Sequence, residues 1–543
     1  MRNVRGFVVI VVALVAAACS SSGGGSSAGS TSSTTGAATP ATTRTCALKR
    51  PAPPTVEPVA GTPGDYTMTS FDGAKIRLHW YPIDATAPVV LNGPGWGEAG
   101  ATENSGTGLF GDTPIGALHR EGYHVLTWDP RGFGKSTGTI TVDAADAEGH
   151  DVQLMLDWLA AQPKVALDGK TDPRVGMVGG SYGGGIQLVT AATDCRVDAI
   201  VPTIAWHSLG TSLNKAETVK QGWSTILYSA AAGRNIDPHI KSAYESGTAT
   251  GTISATDRAW FLSRGPAALV GRITAPTLFV QGTVDTLFTL DEAVTNYRIL
   301  RRAGVPTALL WYCGGHGVCL TDGGDPLRTT DATTRWLRRW LKRDTTVDTG
   351  PRVEIIDQHG ARFTAADWPI PTGAALRASG SGTLPLTADG GSGPVKVPAG
   401  SKNPIDGVAA GITPARATNA VNVKITSPRA VTAVGAPTLA LTYAGTVPAG
   451  ERPTRVFAQL VDDATGLVLG NQTTPIAVVL DGKSHSLTVP LEMIGHTFAA
   501  GGSATLQLVA TTVTYATPRL GGTVTFAKVA ITVPTAAHLT RRP

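Results

Sequence analysis

The stretch that decides the fold is Val175-Gly-Met-Val-Gly-Gly-Ser181-Tyr-Gly-Gly-Gly185. Residues 175–178 are typical of a short buried strand, and the sequence from Ile186 onward is typical of a helix. Between them lies a G-x-S-x-G pattern, in which a sharp turn from strand to helix lifts a serine hydroxyl clear of a sheet. Small flanking residues let strand and helix pack closely around the strained serine. The pattern predicts that Ser181 is a nucleophile; the alternative is a glycine-rich loop with an incidental serine.

Strands alternate with helices on both sides of this stretch. Apolar runs predict strands at 76–81, 88–91, 124–128, 199–204, 277–281 and 308–312. Apolar residues at helical spacing between 152 and 159 predict a helix with one face on a core. This alternation predicts an α/β fold with a mostly parallel sheet, helices on both faces and binding groups at the carboxyl ends of the strands. We assign 61–206 and 275–347 to this core.

Two regions depart from the alternation. The segment 207–274 has helix-like stretches separated by Gly and Thr turns and is too long for a simple connection. We expect it to form a helical cap over the site, with a peripheral decoration as the alternative. The segment 348–536 has strand patterns divided by turn signals such as Asp481-Gly482 and Gly501-Gly502, which favour an antiparallel sandwich.

A nucleophilic serine needs a base to take its proton, and the base needs a carboxylate that fixes its tautomer. His316 lies between glycines in a loop after a predicted strand and is the candidate base, although a lone histidine is more often structural. Asp285 directly follows another predicted strand and is the candidate acid, with Asp291 and Asp325 as alternatives. The three groups then occur in the order Ser181, Asp285, His316, which is the order of α/β-hydrolases.

The negative charge that develops on a substrate carbonyl oxygen needs N–H donors. The backbone N–H of Tyr182, directly after the nucleophile, is one predicted donor. The second should come from the turn 93–96, where Pro94 has no N–H to give. We favour Trp96 for this position, with Gly93 as the alternative.

Other glycine patterns do not predict a cofactor. Gly95-Trp-Gly-Glu-Ala-Gly100 fits G-x-G-x-x-G, but its glutamate would face a pyrophosphate, and no acidic residue ends a second strand about twenty residues on. Gly134-Lys-Ser136 ends like a P-loop, yet Asp129 stands where the first glycine is required. No Cys/His spacing has the form of a zinc site. We therefore expect neither a cofactor nor a metal.

The segment Asp129-Pro-Arg-Gly-Phe-Gly-Lys-Ser136 resembles the D-x-R-G-x-G-x-S loop that supports the site in α/β-hydrolases. The segments 172–184 and 197–202 are similar to the X-Pro dipeptidyl-peptidase and cocaine esterase family, and the resemblance extends over roughly 67–534. It implies an α/β-hydrolase domain followed by a jelly-roll domain. Members often supply an oxyanion tyrosine hydroxyl from the loop after the third strand, whereas this sequence has no Tyr in 92–108.

The residues and the resemblance together imply an exported serine hydrolase that cleaves an ester or amide through an acyl-enzyme, similar to an X-Pro dipeptidyl-peptidase. A carboxylesterase of the cocaine esterase type is the alternative, because the same chemistry serves esters and peptides. A hydrolase-fold binding lipoprotein without activity is a different class of answer, but it would have no need for three catalytic groups. A sugar-binding role has little support, since the predicted sandwich strands show no aromatic platform.

The N-terminus predicts export. Two arginines precede an apolar run over 7–18, which is shorter than the roughly 20 residues of a membrane-spanning helix. We expect a signal peptide over 1–18 and a flexible tether over 19–60, rich in Ser, Gly and Thr at its start. The residues before Cys19 resemble a bacterial lipobox with Ala16 in place of the usual Leu. Lipidation of Cys19 would anchor the protein to the membrane at the cell envelope; secretion is the alternative.

Charge and cysteine content fit that location. Loss of the signal peptide's two arginines leaves 43 of the 45 Lys and Arg residues against 40 Asp and Glu, with no dense basic cluster, so nucleic acid is not an expected partner. Four cysteines besides Cys19 would lie in an oxidising compartment. Cys313 and Cys319 bracket the loop of the candidate base, and a bridge between them would hold that loop in place. A bridge between Cys46 and Cys195 would then follow by elimination. The alternative is four buried free thiols.

Overall fold

The stretch around Ser181 folds as its sequence predicts, with a fully buried strand ending at Gly180 and a helix beginning at Tyr182. The computed structural model describes residues 53–103, 115–396 and 404–542, all of which belong to one compact unit, Cys46–Pro543. The predicted signal peptide, Cys19 and Cys46 lie outside the described residues. Among the residues described, no helix is long and apolar enough to cross a membrane.

Among the described residues, thirteen strands belong to the first part of the chain. They are β1 (Thr55–Pro58), β2 (Asp65–Thr69), β3 (Lys75–Tyr81), β4 (Val89–Asn92), β5 (His124–Trp128), β6 (Leu167–Gly169), β7 (Asp172–Pro173), β8 (Val175–Gly180), β9 (Val197–Thr203), β10 (Thr277–Gly282), β11 (Thr307–Tyr312), β12 (Val353–Ile356) and β13 (Arg362–Ala365). The short pair β6 and β7 forms its own ribbon.

The α-helices of this part lie between the strands. They are α1 (Ile115–Arg120), α2 (Glu148–Leu159), α3 (Tyr182–Thr193), α4 (Leu209–Leu213), α5 (Gln221–Ala230), α6 (Pro238–Thr250), α7 (Ala255–Leu262), α8 (Leu290–Arg302) and α9 (Arg328–Trp340).

The second part of the chain is mostly antiparallel strand. Its elements are β14 (Leu376–Pro385), α10 (Pro404–Gly411), β15 (Ala420–Thr426), β16 (Val431–Gly435), β17 (Thr438–Thr446), β18 (Arg455–Asp462), β19 (Thr474–Ala477), β20 (His485–Pro490), β21 (Ile494–Phe498), β22 (Ser503–Val509), β23 (Thr523–Val533) and β24 (Thr540–Arg542).

The large sheet has twelve strands in the order β1-β2-β3-β5-β4-β8-β9-β10-β11-β12-β13-β24. The pairs from β5 to β12 are parallel, and those at both edges are antiparallel. Side chains alternate between two cores: Leu91 of β4 joins Leu156 of α2, whereas its neighbour Val90 joins Leu118 of α1 and Leu337 of α9. Helices on both faces and apolar central strands confirm the predicted α/β-hydrolase sheet.

Helices α4–α7 fill the connection between β9 and β10 and form the predicted helical cap. Their ends follow from local sequence. Asp237 accepts a hydrogen bond from His239 N–H at the start of α6, where Pro238 fits the first helical position, and Gly251 ends that helix at φ 80°. The cap packs Trp223 and Trp260 with Trp206 and Phe288 of the hydrolase core in one apolar cluster.

Two four-stranded antiparallel sheets, β14-β23-β17-β20 and β15-β22-β18-β19, pack as a sandwich. Strand β15 shows why the sequence specifies it: Val421, Val423 and Ile425 are buried, and the residues between them are exposed. This domain confirms the predicted all-β jelly-roll sandwich.

The boundaries differ from the expected ones. Residues 55–58, inside the expected tether 19–60, form strand β1 and pair with β2. Strands β12 and β13, inside the expected sandwich segment 348–536, extend the hydrolase sheet instead. The residues of β12 are all buried, so this strand lacks the alternation that distinguishes a sandwich strand from a central sheet strand.

Candidate active site

The turn at Ser181 has the strained backbone that its motif predicts. Ser181 lies at φ 54° and ψ −115°, a region that residues with a side chain rarely adopt. Its N–H donates to the carbonyl of Thr203 at 2.9 Å. A Cβ atom at Gly179 or Gly183 would clash with the carbonyl oxygen of Gly93, so only glycine allows β4 to approach the turn this closely. The hydroxyl is therefore held at the carboxyl end of β8.

The structure brings the three predicted catalytic side chains together. His316 Nε2 lies 2.8 Å from Ser181 Oγ, and His316 Nδ1 lies 2.8 Å from Asp285 Oδ2. All three residues are buried, and Asp285 is fully so. This chain of contacts has the geometry that lets an imidazole take the serine proton while a carboxylate orients the ring.

The carboxylate of Asp285 is fixed by the loop that follows β10. Its Oδ1 accepts hydrogen bonds from the N–H groups of Leu287 and Phe288 at 2.9 and 2.8 Å, which leaves Oδ2 for His316. Of the two alternative acids, Asp291 lies on α8 4.0 Å from Lys215, and Asp325 accepts a hydrogen bond from Leu327 N–H. The imidazole faces Asp285 rather than either of them.

The cap and the core enclose the imidazole of His316. Trp223 of α5 and Phe288 meet its ring edge-to-face, with centroid distances of 5.5 and 5.1 Å. The indole N–H of Trp223 donates to Thr286 Oγ1 at 2.9 Å. The cap therefore contacts both the base and the loop of the acid, as expected for a cap over the site and not for a peripheral decoration.

A segment of the sandwich, residues 469–472, contacts the loop of Asp285 and the loop of His316. Gln472 Nε2 donates to the carbonyl of Asp285 at 2.6 Å, and Asn471 Nδ2 donates to the carbonyl of Val318 at 2.9 Å. Gln358 Oε1 accepts from Gly470 N–H at 2.9 Å, which ties the segment to the hydrolase sheet. No local motif in the sequence links these residues to the site, so they are recognised only in the structure.

A buried lysine also reaches the loop of the acid. Lys220 of the cap donates from Nζ to the carbonyl of Leu287 at 2.9 Å. Burial lowers the pKa of this amine to about 8, and the carboxylate of Glu492 opposes the shift. Glu492 belongs to the sandwich and lies 2.5 Å from Lys215 of the cap. No local sequence motif indicates this junction of cap, core and sandwich either.

The candidate oxyanion donors differ in whether their backbone N–H groups are already engaged. Gly93 N–H donates to the carbonyl of Val178 at 3.1 Å, so it is engaged in the sheet and not directed at a substrate. The backbone N–H groups of Trp96 and Tyr182 make no hydrogen bond with any residue that the structure describes. The indole N–H of Trp96 is also engaged, since it donates to the carbonyl of Leu227 at 2.8 Å.

The pocket that opens at Ser181 is strongly apolar. Its described walls come mostly from the cap and include Trp96, Trp206, Leu213, Leu227, Tyr228, Ile240, Ile253, Phe261, Leu287 and Phe288. No carboxylate lines it among the residues described. Among the described wall residues only Arg258 is charged, and its guanidinium donates a hydrogen bond to Glu217 at 2.5 Å.

The other sequence motifs have structural roles. In the loop 129–136, Asp129 accepts hydrogen bonds from Gly100 N–H and Lys135 N–H at 2.8 and 2.6 Å, which is the expected support function. Glu98, in the rejected dinucleotide pattern, closes its own turn by accepting from Gly95 N–H at 3.0 Å.

Two cysteine predictions fall on described residues. Cys313 and Cys319 form a disulfide around the loop of His316. Cys195 is also disulfide-bonded, whereas its expected partner Cys46 lies outside the part of the chain that the structure describes.

Solved structures share this fold at low sequence identity. A CocE/NonD family hydrolase from Staphylococcus aureus is 14% identical, with a TM-score of 0.62 over 87% of this chain and 93% of that one. An aminopeptidase from a marine sediment archaeon, Thaumarchaeota archaeon, is 12% identical, with a TM-score of 0.60 over 87% and 96%. An α-amino acid ester hydrolase is 13% identical, with a TM-score of 0.61 over 87% and 96%.

Comparison with curated proteins finds no significant match. Residues 72–318, which contain the strand-turn-helix at Ser181, the cap and the loops of Asp285 and His316, match the family model described as X-Pro dipeptidyl-peptidase (S15 family). The segment 72–318 of this chain is therefore similar to the X-Pro dipeptidyl-peptidase (S15) family.

Proposed function

We propose that this protein is a serine hydrolase that cleaves carboxylic esters with an uncharged, apolar acyl group. The observation that carries the proposal is the Ser181–His316–Asp285 chain, with contacts of 2.8 Å at both joints, at the end of an apolar pocket. The same geometry argues against a lapsed hydrolase that only binds ligands, because a binding protein has no need of a base held against a serine hydroxyl.

The chemistry proceeds through an acyl-enzyme. Ser181 Oγ attacks the ester carbonyl carbon while His316 Nε2 takes its proton, and the carbonyl oxygen becomes an oxyanion. The tetrahedral intermediate collapses as the imidazolium returns this proton to the departing alkoxide, which leaves as an alcohol. Water, deprotonated by the same imidazole, then attacks the acyl-serine; as the bond to Ser181 Oγ breaks, the imidazolium returns the proton to that oxygen and the carboxylic acid is released. Asp285 stabilises the imidazolium in both halves of the reaction.

The oxyanion requires donors next to Ser181. The backbone N–H of Tyr182 starts α3, where the helix dipole also favours negative charge. With Gly93 engaged in the sheet, Trp96 N–H is our choice for the second donor. Each such donor is worth about 10²–10³ in kcat where it has been removed from other hydrolases.

The pocket favours an ester over an X-Pro peptide as substrate. A dipeptidyl-peptidase must hold the free α-ammonium group of its substrate, and burying that cation without a carboxylate partner is unfavourable. The described pocket walls contain no Asp or Glu and present aromatic and aliphatic side chains instead. Apolar acyl groups gain free energy on entering such a pocket, at about 25 cal/mol per Å² of apolar surface buried.

The test is a substrate series on the purified protein. We expect labelling of Ser181 by a fluorophosphonate and hydrolysis of p-nitrophenyl esters with kcat/KM rising from acetyl to longer or aromatic acyl groups. Gly-Pro-p-nitroanilide should be cleaved far more slowly than the best ester. Preferential cleavage of the anilide would support the X-Pro dipeptidyl-peptidase reading instead, and failure to label would favour a lapsed hydrolase.

We further propose that the protein is exported and lipid-anchored. The basis is the sequence alone: an apolar N-terminal run, a lipobox-like site at Cys19 and a Ser/Gly/Thr-rich tether. Cys19→Ala should move active enzyme from the membrane fraction to the soluble fraction, since acyl chains supply about 0.8 kcal/mol per buried methylene. An N-terminal peptide with the mass of unmodified Cys19 would show a secreted enzyme without an anchor.

A further inference from the structure

Two histidines and an aspartate meet where the hydrolase sheet adjoins the sandwich. His359 lies in the turn between β12 and β13, Asp462 ends β18, and His496 lies in β21. One nitrogen of each imidazole and one oxygen of the carboxylate lie within 4.8 Å of one another. The sequence shows no metal-ligand spacing here, because these residues are far apart in the chain and come together only through the fold.

The imidazole of His496 is buried and makes no hydrogen bond with any residue that the structure describes. Its Nδ1 is buried and has no partner among the residues described. Its Nε2 points toward Asp462 Oδ1 at 4.0 Å, which is too long for a hydrogen bond. A neutral imidazole always carries one N–H donor and one acceptor, and buried polar groups are normally satisfied. The acceptor nitrogen of the His496 ring therefore has no partner among the residues described, and a bound ligand would supply one.

The carboxylate of Asp462 is oriented to share that ligand. Its Oδ2 accepts hydrogen bonds from the N–H and the hydroxyl of Thr465 at 3.1 and 2.6 Å. Its Oδ1, which faces His496, has only a 3.3 Å contact with Ala464 N–H. An oxygen held in place but weakly used is available for a further bond.

The third group is brought in by a fixed turn. The backbone N–H of His359 donates to Asp357 Oδ1 at 2.9 Å, and Asp357 Oδ2 accepts from the hydroxyl of Thr497 at 2.6 Å. Asp357 thus joins the turn of His359 to the strand of His496, and the centroids of the two imidazole rings lie 5.6 Å apart. His359 is exposed, so a ligand bound here would keep a face toward solvent.

We propose that His359, Asp462 and His496 form a binding site for a divalent cation of the zinc class, separate from the catalytic site. Imidazole nitrogens suit Zn²⁺, Co²⁺ and Ni²⁺, whereas Ca²⁺ and Mg²⁺ prefer oxygen ligands. Three protein ligands leave a fourth, tetrahedral position for water on the side of His359. The ligands come from the hydrolase sheet and the sandwich, so the bound cation ties the two domains together.

The experiment measures Zn²⁺ binding to the full chain after removal of metal with EDTA, by equilibrium dialysis and metal analysis. Wild type should bind one Zn²⁺ per chain at this site. His359→Ala should weaken that binding by at least about tenfold. This side chain is exposed, and the one hydrogen bond described for this residue is made by its backbone N–H, so the variant should fold normally. His485→Ala is the matched control, since this sandwich histidine pairs with Asp481 outside the cluster.

Three further measurements sharpen the result. Asp462→Asn keeps acceptors for Thr465 and should also weaken Zn²⁺ binding. Zn²⁺ should raise the Tm of wild type but not of His359→Ala, because a ligand specific for the native state stabilises it. A roughly 100-fold excess of Ca²⁺ should not displace Zn²⁺.

Two outcomes would overturn the proposal: no Zn²⁺ binding by wild type, or equal affinity in wild type, His359→Ala and Asp462→Asn. The latter result would place the cation elsewhere, for example at His316, where it would inhibit ester hydrolysis in all three proteins alike.

Discussion

The nucleophile and its two partners are held by different kinds of contact. Ser181 is fixed by its own strand and helix and by the approach of Gly93. Asp285 and His316 lie in loops that the cap and the sandwich support, through Trp223 and the segment 469–472. A hydroxyl in the right place is thus a local property of the motif, whereas a correctly oriented acid and base depend on the whole compact unit.

The largest expected effect tests the local half of this comparison. Ser181→Ala should lower kcat/KM for the best ester by about 10⁶, as removal of a triad serine does elsewhere, because no other hydroxyl can form the acyl-enzyme. The thermal transition should remain cooperative. Ser246→Ala, at a half-buried serine on α6 that is not among the described residues of the pocket wall, is the control and should retain full activity. Substantial turnover by Ser181→Ala would rule out this residue as the nucleophile.

The next effect concerns the acid. Asp285→Asn should lower kcat by about 10⁴, because an amide at this position holds His316 in the wrong tautomer and cannot stabilise its cation. Asp291→Asn should change kcat little, since Asp291 lies on α8 with its carboxylate near Lys215 and not near His316. Single-turnover ester hydrolysis with both variants measures the difference. A larger loss in Asp291→Asn than in Asp285→Asn would reverse our assignment.

The contact between Lys220 of the cap and the loop of Asp285 can be tested through the pH dependence of stability. The pKa of Lys220 is lowered from 10.5 to about 8 by burial, so between these pH values the unfolded chain holds a proton that the folded chain has lost. Stability therefore rises with pH in this window, by roughly 3 kcal/mol from pH 8 to pH 10.5. Lys220→Met removes this contribution. Urea unfolding of both proteins at several pH values measures it; parallel pH profiles would contradict a buried amine with a lowered pKa.

Gln472 tests the support from the sandwich. Gln472→Ala removes the hydrogen bond to the carbonyl of Asp285 and should lower kcat by about tenfold, because small displacements of catalytic groups are costly. KM should stay near its original value, since Gln472 is not among the described residues of the pocket wall. Gln162→Ala, at the end of α2, is the control. An unchanged kcat would show that the loop of the acid holds its position without the sandwich.

The smallest effect concerns the disulfide around the base. Replacing Cys313 and Cys319 together by Ser should lower kcat about threefold, because the loop of His316 gains freedom that the bridge removes. The bridge spans only 6 residues, so the loss of global stability should be modest. Steady-state kinetics and a thermal melt on the same sample separate the two. A large fall in Tm without any change in kcat would assign the bridge a purely structural role.

This contrast also explains what the sequence predicts well. The turn at Ser181 is specified by neighbouring residues, and strand ends place Asp285 and His316 on the same edge of the sheet. Periodicity likewise identifies the α/β core, the cap and the sandwich. These features depend on short-range patterns, which a single sequence displays directly.

The remainder depends on contacts between distant segments. Asn471 ends a short 3₁₀ turn that has no recognisable motif, and Gln472 directly follows it, yet both reach the loops of the acid and the base. No pattern in the sequence around Lys220 indicates that its amine is buried. The assignment of β12 fails for the same reason, because a fully buried strand has no alternation to show which domain it joins.

The position of strand β24 in the chain determines when the edge of the hydrolase sheet can be completed during synthesis. This strand pairs with β13 at the edge of the hydrolase sheet, although the whole sandwich lies between these two strands in the chain. In chain order, the sandwich is therefore an insertion between two strands of the hydrolase sheet and not a domain that follows the completed sheet. During synthesis the sheet keeps an open edge at β13 until the sandwich has been made, and open edges are templates for aggregation. Chaperone protection of the emerging chain would have to last through that interval, and shortening the protein to its hydrolase half would make the exposed edge permanent.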